Sequence, residues 1–385
     1  MVKRPLLIPA LFVTLVIRLI RPLIMVRFGK LQSDRIGHFA CNTEVYLCQR
    51  DKGMYDSPRS LDIFYCGAVV CNQQLKRMWG RVLYISPFVE LLSWINRRLP
   101  GGDGHILEFL SQDRDIHNRM YNTQPHLTFS HREKMLGKGY IDKTTLGNKA
   151  PYICFVARDS AYLDRIQPRR DWSYHSYRDS DIDNYVPAME ALVERGNNVF
   201  RMGYEVKKAL CSDNLKIIDY ATNGDRTDFL DIYLAANCRF FVSNGTGIDD
   251  IAQIFRRPIV NVNCLPIEHV RSWNPNHISI FKKLWLRDEK RFMSFRETFE
   301  TGAGRFERSE EYEQIGVDIV DNTSEEIAAV VGEMDARLNG SWRPTEEDRE
   351  LQKTFWNMLP KGDLHGEINS LIGADFLRNN KELLI

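Results

Sequence analysis

Short apolar runs, each followed by a polar or helical stretch, recur along this chain and predict alternating strands and helices. In the first part the runs RIGHF (35–39), LDIFYC (61–66) and RVLYIS (81–86) read as strands of one α/β unit. Loop signals then accumulate at Pro100-Gly101-Gly102-Asp103-Gly104, Lys138-Gly139 and Gly147-Asn148, which sets a boundary near 145. A second series follows. PYICFVARD (151–159), NVFRMG (198–203), KIIDYA (216–221), RFFVSN (239–244) and PIVNVN (258–263) read as strands, with helices over 186–196, 229–237 and about 247–256. Such alternation requires parallel pairing and right-handed crossovers, the doubly wound arrangement. From 323 on the pattern is helical and ends in a leucine-rich tail, expected to pack back toward the first domain. The predicted organisation is an N-terminal helix (1–30), an α/β domain (31–148), a second α/β domain (149–340) and a helical tail (341–385). Two successive units of this kind place a cleft between them, and ligands of open parallel sheets bind beyond the carboxyl ends of the strands.

Residues 5–28 are the most apolar stretch, yet Arg18, Arg21 and Arg27 interrupt them. The uncharged part, 5–17, is shorter than the ~20 residues a membrane-spanning helix needs. Small residues suited to signal-peptide cleavage are missing. The pattern predicts an amphipathic helix lying on a membrane surface, with Lys3, Arg4, Arg18 and Arg21 reaching anionic lipid; a helix buried against the body of the protein is the competing reading.

Length changes the picture little: 385 residues exceed what one core usually organises, in keeping with two domains. Charge excludes more. Lys+Arg of 52 against Asp+Glu of 51 leaves a net charge of +1, so no overall field draws the chain to a polyanion and nucleic acid is not expected as a partner. The 8 cysteines form no Cys-x-x-Cys pair and have no histidine at zinc spacing; they read as free thiols of a reducing compartment.

Candidate chemistry gathers at the expected strand ends. Ser243, Asn244, Gly245, Thr246 and Gly247 follow an apolar strand and open a helix, where main-chain amides can approach an anion; an ordinary strand-to-helix turn capped by Ser243 or Thr246 is the alternative. Arg158 and Asp159 leave the first strand of the second domain, and Arg201 and Gly203 the next; each arginine can fork onto phosphate oxygens or form an ion pair. In YHSYRDSDIDNY (174–185), Asp179, Asp181 and Asp183 imitate a calcium loop or a metal-holding carboxylate pair, but Asn184 stands where the calcium loop needs glycine. No metal site is therefore expected, and Tyr177, Arg178 and Asn184 are left to meet a nucleotide or sugar. Trp172, Tyr174 and Tyr177 are candidates to stack on a base or to pack in the core. In the first domain Gly37, His38, Asn42 and Glu44 read as a cleft-facing loop and helix start, in which Glu44 or His38 would act as general base toward an acceptor hydroxyl.

The segments RFGKLQSDRIGHFACNTEVYLCQRD (27–51), FVARDSAYL (155–163), YHSYRDSDIDNY (174–185) and FFVSNGTGIDDIA (240–252) resemble a bacterial family of glycosyltransferases met in surface-polysaccharide gene clusters. That family is distantly similar to protein O-fucosyltransferases. The resemblance implies a GT-B type fold, two Rossmann-like domains facing a central cleft. It further implies a nucleotide-sugar donor held by the second domain, a lipid-linked or membrane-held glycan acceptor reached from the first, and no cofactor or obligatory metal. Arg158 matches the arginine that serves the donor diphosphate, and 243–247 the phosphate turn; Gly37, His38 and Asn42 fall at the acceptor-side glycine loop. The expected place is the cytoplasmic side of the cell membrane, peripherally bound. A sugar-nucleotide epimerase on the same fold and a non-catalytic assembly factor are the alternatives.

Overall fold

The computed structural model describes residues 6–54, 59–108, 114–166 and 168–385; Lys3, Arg4 and Pro5 of the expected cationic leader lie outside them. The chain divides into two compact units, 1–115 with 119–134, and 116–118 with 135–385.

Unit 1 begins with α1 (Leu7–Leu19), β1 (Met25–Leu31), α2 (Ile36–Asp51) and β2 (Ser60–Cys66). It continues with α3 (Gln73–Trp79), α4 (Pro87–Asn96) and β3 (Ile106–Leu107). Its sheet is parallel, in the order β2-β1-β3. Close packing makes Gly29 obligatory in β1: a Cβ there would stand 2.5 Å from the Phe64 ring. The sequence reading differs at two places. RIGHF opens α2 and is no strand, because nearly every residue from Gly37 to Gln49 is buried and the helical period is hidden when all faces are covered. RVLYIS forms one isolated bridge, Phe64 to Ile85, since Ser86 caps α4 and Pro87 starts it. Helix α1 buries Ala10, Thr14 and Ile17, with Ala10 and Ile17 in a cluster with Val89, Leu92 and Ile95 of α4. Its other side exposes Ile8 (81%), Phe12 (69%) and Leu19 (80%) to solvent. No helix among the described residues is long and apolar enough to cross a membrane.

The division between the units falls within α5 (His131–Thr144). Unit 2 then runs β4 (Tyr152–Phe155), α6 (Ala161–Ile166), α7 (Val186–Glu194), β5 (Asn198–Arg201), β6 (Ile217–Ile218), α8 (Asp228–Asn237) and β7 (Phe241–Ser243). After these come α9 (Asp249–Ile254), β8 (Ile259–Cys264) and β9 (His277–Phe281). Here the expected strands and helices match in type, because the strands are short, mostly buried runs built around apolar residues and α8 starts at the Thr227 cap. With a late strand, β13 (Leu371–Ile372), pairing on β9, seven strands pair in parallel as β13-β9-β8-β7-β4-β5-β6. Winding therefore proceeds from β4 outward through β5 and β6, then restarts at β7 on the other side, the doubly wound Rossmann-like order.

The remainder is β10 (Lys283–Leu286), β11 (Arg291–Phe292), α10 (Phe295–Glu300), α11 (Ser309–Gln314), β12 (Val317–Val320), α12 (Ser324–Leu338), α13 (Glu346–Met358), β13 (Leu371–Ile372) and α14 (Ala374–Asn379). Strands β11-β10-β12 form a separate antiparallel sheet. The tail belongs to unit 2, where β13 joins β9 and Phe355 and Phe376 pack on Phe281, because the apolar faces of α13 and α14 cover the end of that sheet.

Candidate functional site

The winding reverses between β4 and β7, and at such a switch point the connections leave the two strands in opposite directions and open a crevice at their carboxyl ends. Arg158 lies just past β4 and Asn244 just past β7. The Arg158 amide donates to Asn244 Oδ1 (2.9 Å), Asn244 Nδ2 donates to the Arg178 carbonyl (2.9 Å), and the Arg178 guanidinium donates to the Gly245 carbonyl (2.5 Å). These bonds bring Arg158, Arg178 and the 244–247 turn together. The Arg158 guanidinium also donates to the His175 carbonyl (3.2 Å) and pairs with Asp179. Lys282, next after β9 and only 3% exposed, donates to the Asp179 carbonyl (2.6 Å) and pairs with Asp321 (2.8 Å).

Burial, then repulsion from Arg178, lowers the Arg158 pKa below its ordinary value; burial also lowers that of Lys282, with Asp321 opposing. Asp179 is raised by burial against the pull of Arg158. The partly desolvated cations Arg158, Arg178 and Lys282 thus stand against Asp179 and Asp321, with Lys207 and Asp159 adding one charge of each sign. An incoming anion would relieve the repulsion between the two guanidiniums and gain charge-assisted hydrogen bonds.

The turn itself is more committed than its sequence suggests. Gly245 sits at φ +80, a conformation glycine takes without strain. The amides of Gly245 and Thr246 both donate to Ser243 Oγ (3.1 and 3.2 Å), so these two serve the turn, whereas those of Gly247 and Ile248 make no hydrogen bond among the described residues.

Other expected donor-site residues have different work. Arg201 is 1% exposed; its guanidinium pairs with Asp219 (3.0 Å) and donates to the Lys208 carbonyl (3.2 Å), so it presents nothing to a phosphate. It fails because it is still inside the sheet, in register with Phe155. Asp159 accepts from the amides of Ala161 and Lys207, fixing two loops. Gly203 makes room for the next turn, since a Cβ there would lie 2.6 Å from Val206. Tyr177 is a core residue against Tyr312, and Trp172 stacks on His175 with Arg170 over its outer face. Asn184 belongs to the 3-10 turn Ile182–Tyr185 and donates its amide to Asp181. The carboxylates of Asp181 and Asp183 both hold the Lys208 ammonium (2.6 and 2.5 Å), whereas Asp179 pairs with Arg158.

Sequence reasoning missed Lys282 and the tie behind the site. Ser180 donates its amide to the Arg158 carbonyl (2.9 Å) and receives the side chain of Asn263 (2.8 Å) and the hydroxyl contact of Tyr185 (3.0 Å). Asn263 and Asn322 exchange main-chain and side-chain bonds at 2.6 Å. The available signal was polar residues closing apolar strands, at Asn263 in β8 and Lys282 after β9.

In unit 1, Gly37 and His38 lie in the first turn of α2, and Asn42, buried, donates to Gln32 (3.2 Å). Glu44 lies deeper in the helix than a cleft-facing loop would put it. It is fully buried; His126 Nδ1 stands 3.1 Å from its carboxylate, and the His126 ring reaches Asp51 (2.9 Å) through Nε2. Burial works against a charged His126, but bonds to Cys48, Glu44 and Asp51 outweigh it and raise its pKa to about 10.

No family model matches the chain, and no curated protein matches it. Among solved structures it is similar to E. coli ADP-heptose LPS heptosyltransferase II, at 13% identity over 66% of this chain and 90% of that one, with a TM-score of 0.37. A glycosyl transferase family 9 structure from Veillonella parvula matches at 9% identity over 67% and 86%, TM-score 0.41. UDP-GlcNAc 2-epimerase of Methanocaldococcus jannaschii matches at 11% identity over 72% and 70%, TM-score 0.29. Likenesses at these scores carry no argument about activity.

Proposed function

We propose that the chain is a glycosyltransferase that takes a sugar from a nucleotide-sugar donor, with the donor diphosphate at the β4 and β7 strand ends of unit 2. One observation carries the reading: Arg158 and Arg178, linked through Asn244, crowd each other at the switch point of a doubly wound sheet. As the glycosidic bond to the donor breaks, negative charge builds on the departing diphosphate, and fixed cations there stabilise it more than they stabilise the bound donor. Arg158, Arg178 and Lys282 are assigned that task, and with these cations at the diphosphate the transfer is proposed to need no metal.

The family resemblance assigns the acceptor, a lipid-linked glycan of a bacterial surface polysaccharide, to unit 1. With Glu44 buried, His38 is the proposed proton acceptor there. Peripheral attachment, on the cytoplasmic side, belongs to the same reading, and the exposed Ile8, Phe12 and Leu19 of α1 with the exposed Arg21 beyond it favour a membrane surface. Purified protein incubated with a panel of nucleotide-sugars tests the reading. Transfer or slow donor hydrolysis, with nucleoside diphosphate binding seen by calorimetry, is expected; absence of both defeats it. Epimerised sugar released without acceptor would replace transfer by the epimerase alternative. Sedimentation with anionic vesicles, weakened by Phe12→Asp, is the expected result for α1.

A further inference from the structure

Helix α2 carries Glu44 and Cys48 one turn apart on the same face, and the 119–130 loop brings His126 over them. The ligating atoms of Glu44, Cys48 and His126 all lie within 4.8 Å of one another, with Glu44 Oε1 3.1 Å from His126 Nδ1 and 3.9 Å from Cys48 Sγ. Ligands of a tetrahedral ion at ~2.1 Å stand about 3.4 Å apart, so only small side-chain adjustments separate this group from a coordination shell. A thiolate, an imidazole and a carboxylate together are a donor set suited to zinc, since a hard ion such as magnesium disfavours sulfur. A second feature points the same way. The far nitrogen of the His126 ring is held by Asp51 at 2.9 Å, the carboxylate-histidine arrangement that orients a metal-binding imidazole and raises its basicity.

We propose that Glu44, Cys48 and His126 Nδ1 bind one Zn²⁺ in unit 1, with a water as fourth ligand and Asp51 fixing the His126 ring. Binding displaces the thiol proton and the Nδ1 proton to solvent. The ion joins α2 to the 119–130 loop, where Thr123 already meets Cys48 Sγ through its hydroxyl at 2.9 Å. Its role is to hold that loop in place, so zinc should raise the thermal midpoint of the chain.

The test loads the 385-residue chain with Zn²⁺, removes unbound metal by gel filtration and measures metal content. Close to one equivalent is expected, with Co²⁺ giving a near-ultraviolet thiolate charge-transfer band. Cys48→Ser should lose the band, and His126→Ala the bound zinc. Asp51→Asn, at a half-exposed side chain outside the metal shell, should keep the fold and weaken zinc affinity by about 10–100-fold. Less than a tenth of an equivalent in the unaltered chain overturns the proposal. So does zinc retention unchanged in Cys48→Ser and His126→Ala. Should those two variants fail to fold, Asp51→Asn decides: unchanged affinity there also overturns it.

Discussion

Two arginines stand at neighbouring strand ends of one sheet, and the structure gives them opposite tasks. Arg201 closes β5 within the hydrogen-bonded register, where burial leaves a guanidinium affordable only because Asp219 and the Lys208 carbonyl hold it. Arg158 stands beyond the end of β4, beside the reversal of winding, and faces a second guanidinium as well as a carboxylate. The first is a closed internal pair. The second belongs to a cluster whose cations repel, so an added anion lowers its energy. Residue type at a strand end is a weak guide; position relative to the switch point decides whether the charge is spent on the fold or kept for a ligand.

The comparison breaks most visibly through stability. Arg201→Ala leaves Asp219 without its buried partner and should cost about 3–5 kcal/mol in denaturant unfolding. A loss below about 1 kcal/mol would show that Arg201 is no structural pair. Arg158→Ala should instead act on binding, lowering nucleoside diphosphate affinity by the ~1.5–3 kcal/mol of hydrogen bonds to a charged group, roughly ten- to a hundredfold in calorimetry. Gly245→Ala sharpens the contrast on the turn. Its Cβ would meet only the Arg178 guanidinium at 3.9 Å, so the expected loss of about 1–2 kcal/mol in unfolding comes from the backbone at φ +80 alone. Equal stability of wild type and variant would mean the turn relaxes out of that conformation.

A smaller effect calibrates ion pairs away from both arginines. Glu133 in unit 1 is paired with Arg81, which with the Ser130 amide holds its pKa down to about 2, against about 4.3 in an unfolded chain. Its stabilisation is complete above the unfolded value and is lost as pH falls from there toward 2. With Arg81 40% exposed, the amount is about 1 kcal/mol or less. Glu133→Gln should remove this part of the acid-induced loss in unfolding measured from pH 5 to 2.5, and identical pH slopes would contradict it.

Much of unit 2 was legible in the sequence because its strands are short, mostly apolar runs separated by helix-length stretches, a pattern that survives without tertiary information. The positions of the 244–247 turn and of Arg158 beyond strand ends were legible for the same reason, since both follow such runs. That Arg201 forms an internal pair was not legible because its place inside the sheet, in register with Phe155 and followed by the equally buried Met202, is set by strand pairing and not by residue type. RIGHF was misread because a helix buried on all sides loses its period. Lys282, Asn263 and the Glu44, Cys48 and His126 group were invisible, since their partners come from distant stretches of chain and only folding brings them together.

Calorimetric titration with UDP, GDP and ADP of the wild type, Arg158→Ala and Arg201→Lys tests the central claim most directly. Binding of at least one nucleotide by the wild type is predicted, weakened at least tenfold in Arg158→Ala and kept within about threefold in a folded Arg201→Lys. The same affinity in wild type and Arg158→Ala, or a loss confined to Arg201→Lys, would contradict the assignment of the β4 and β7 strand ends to the diphosphate.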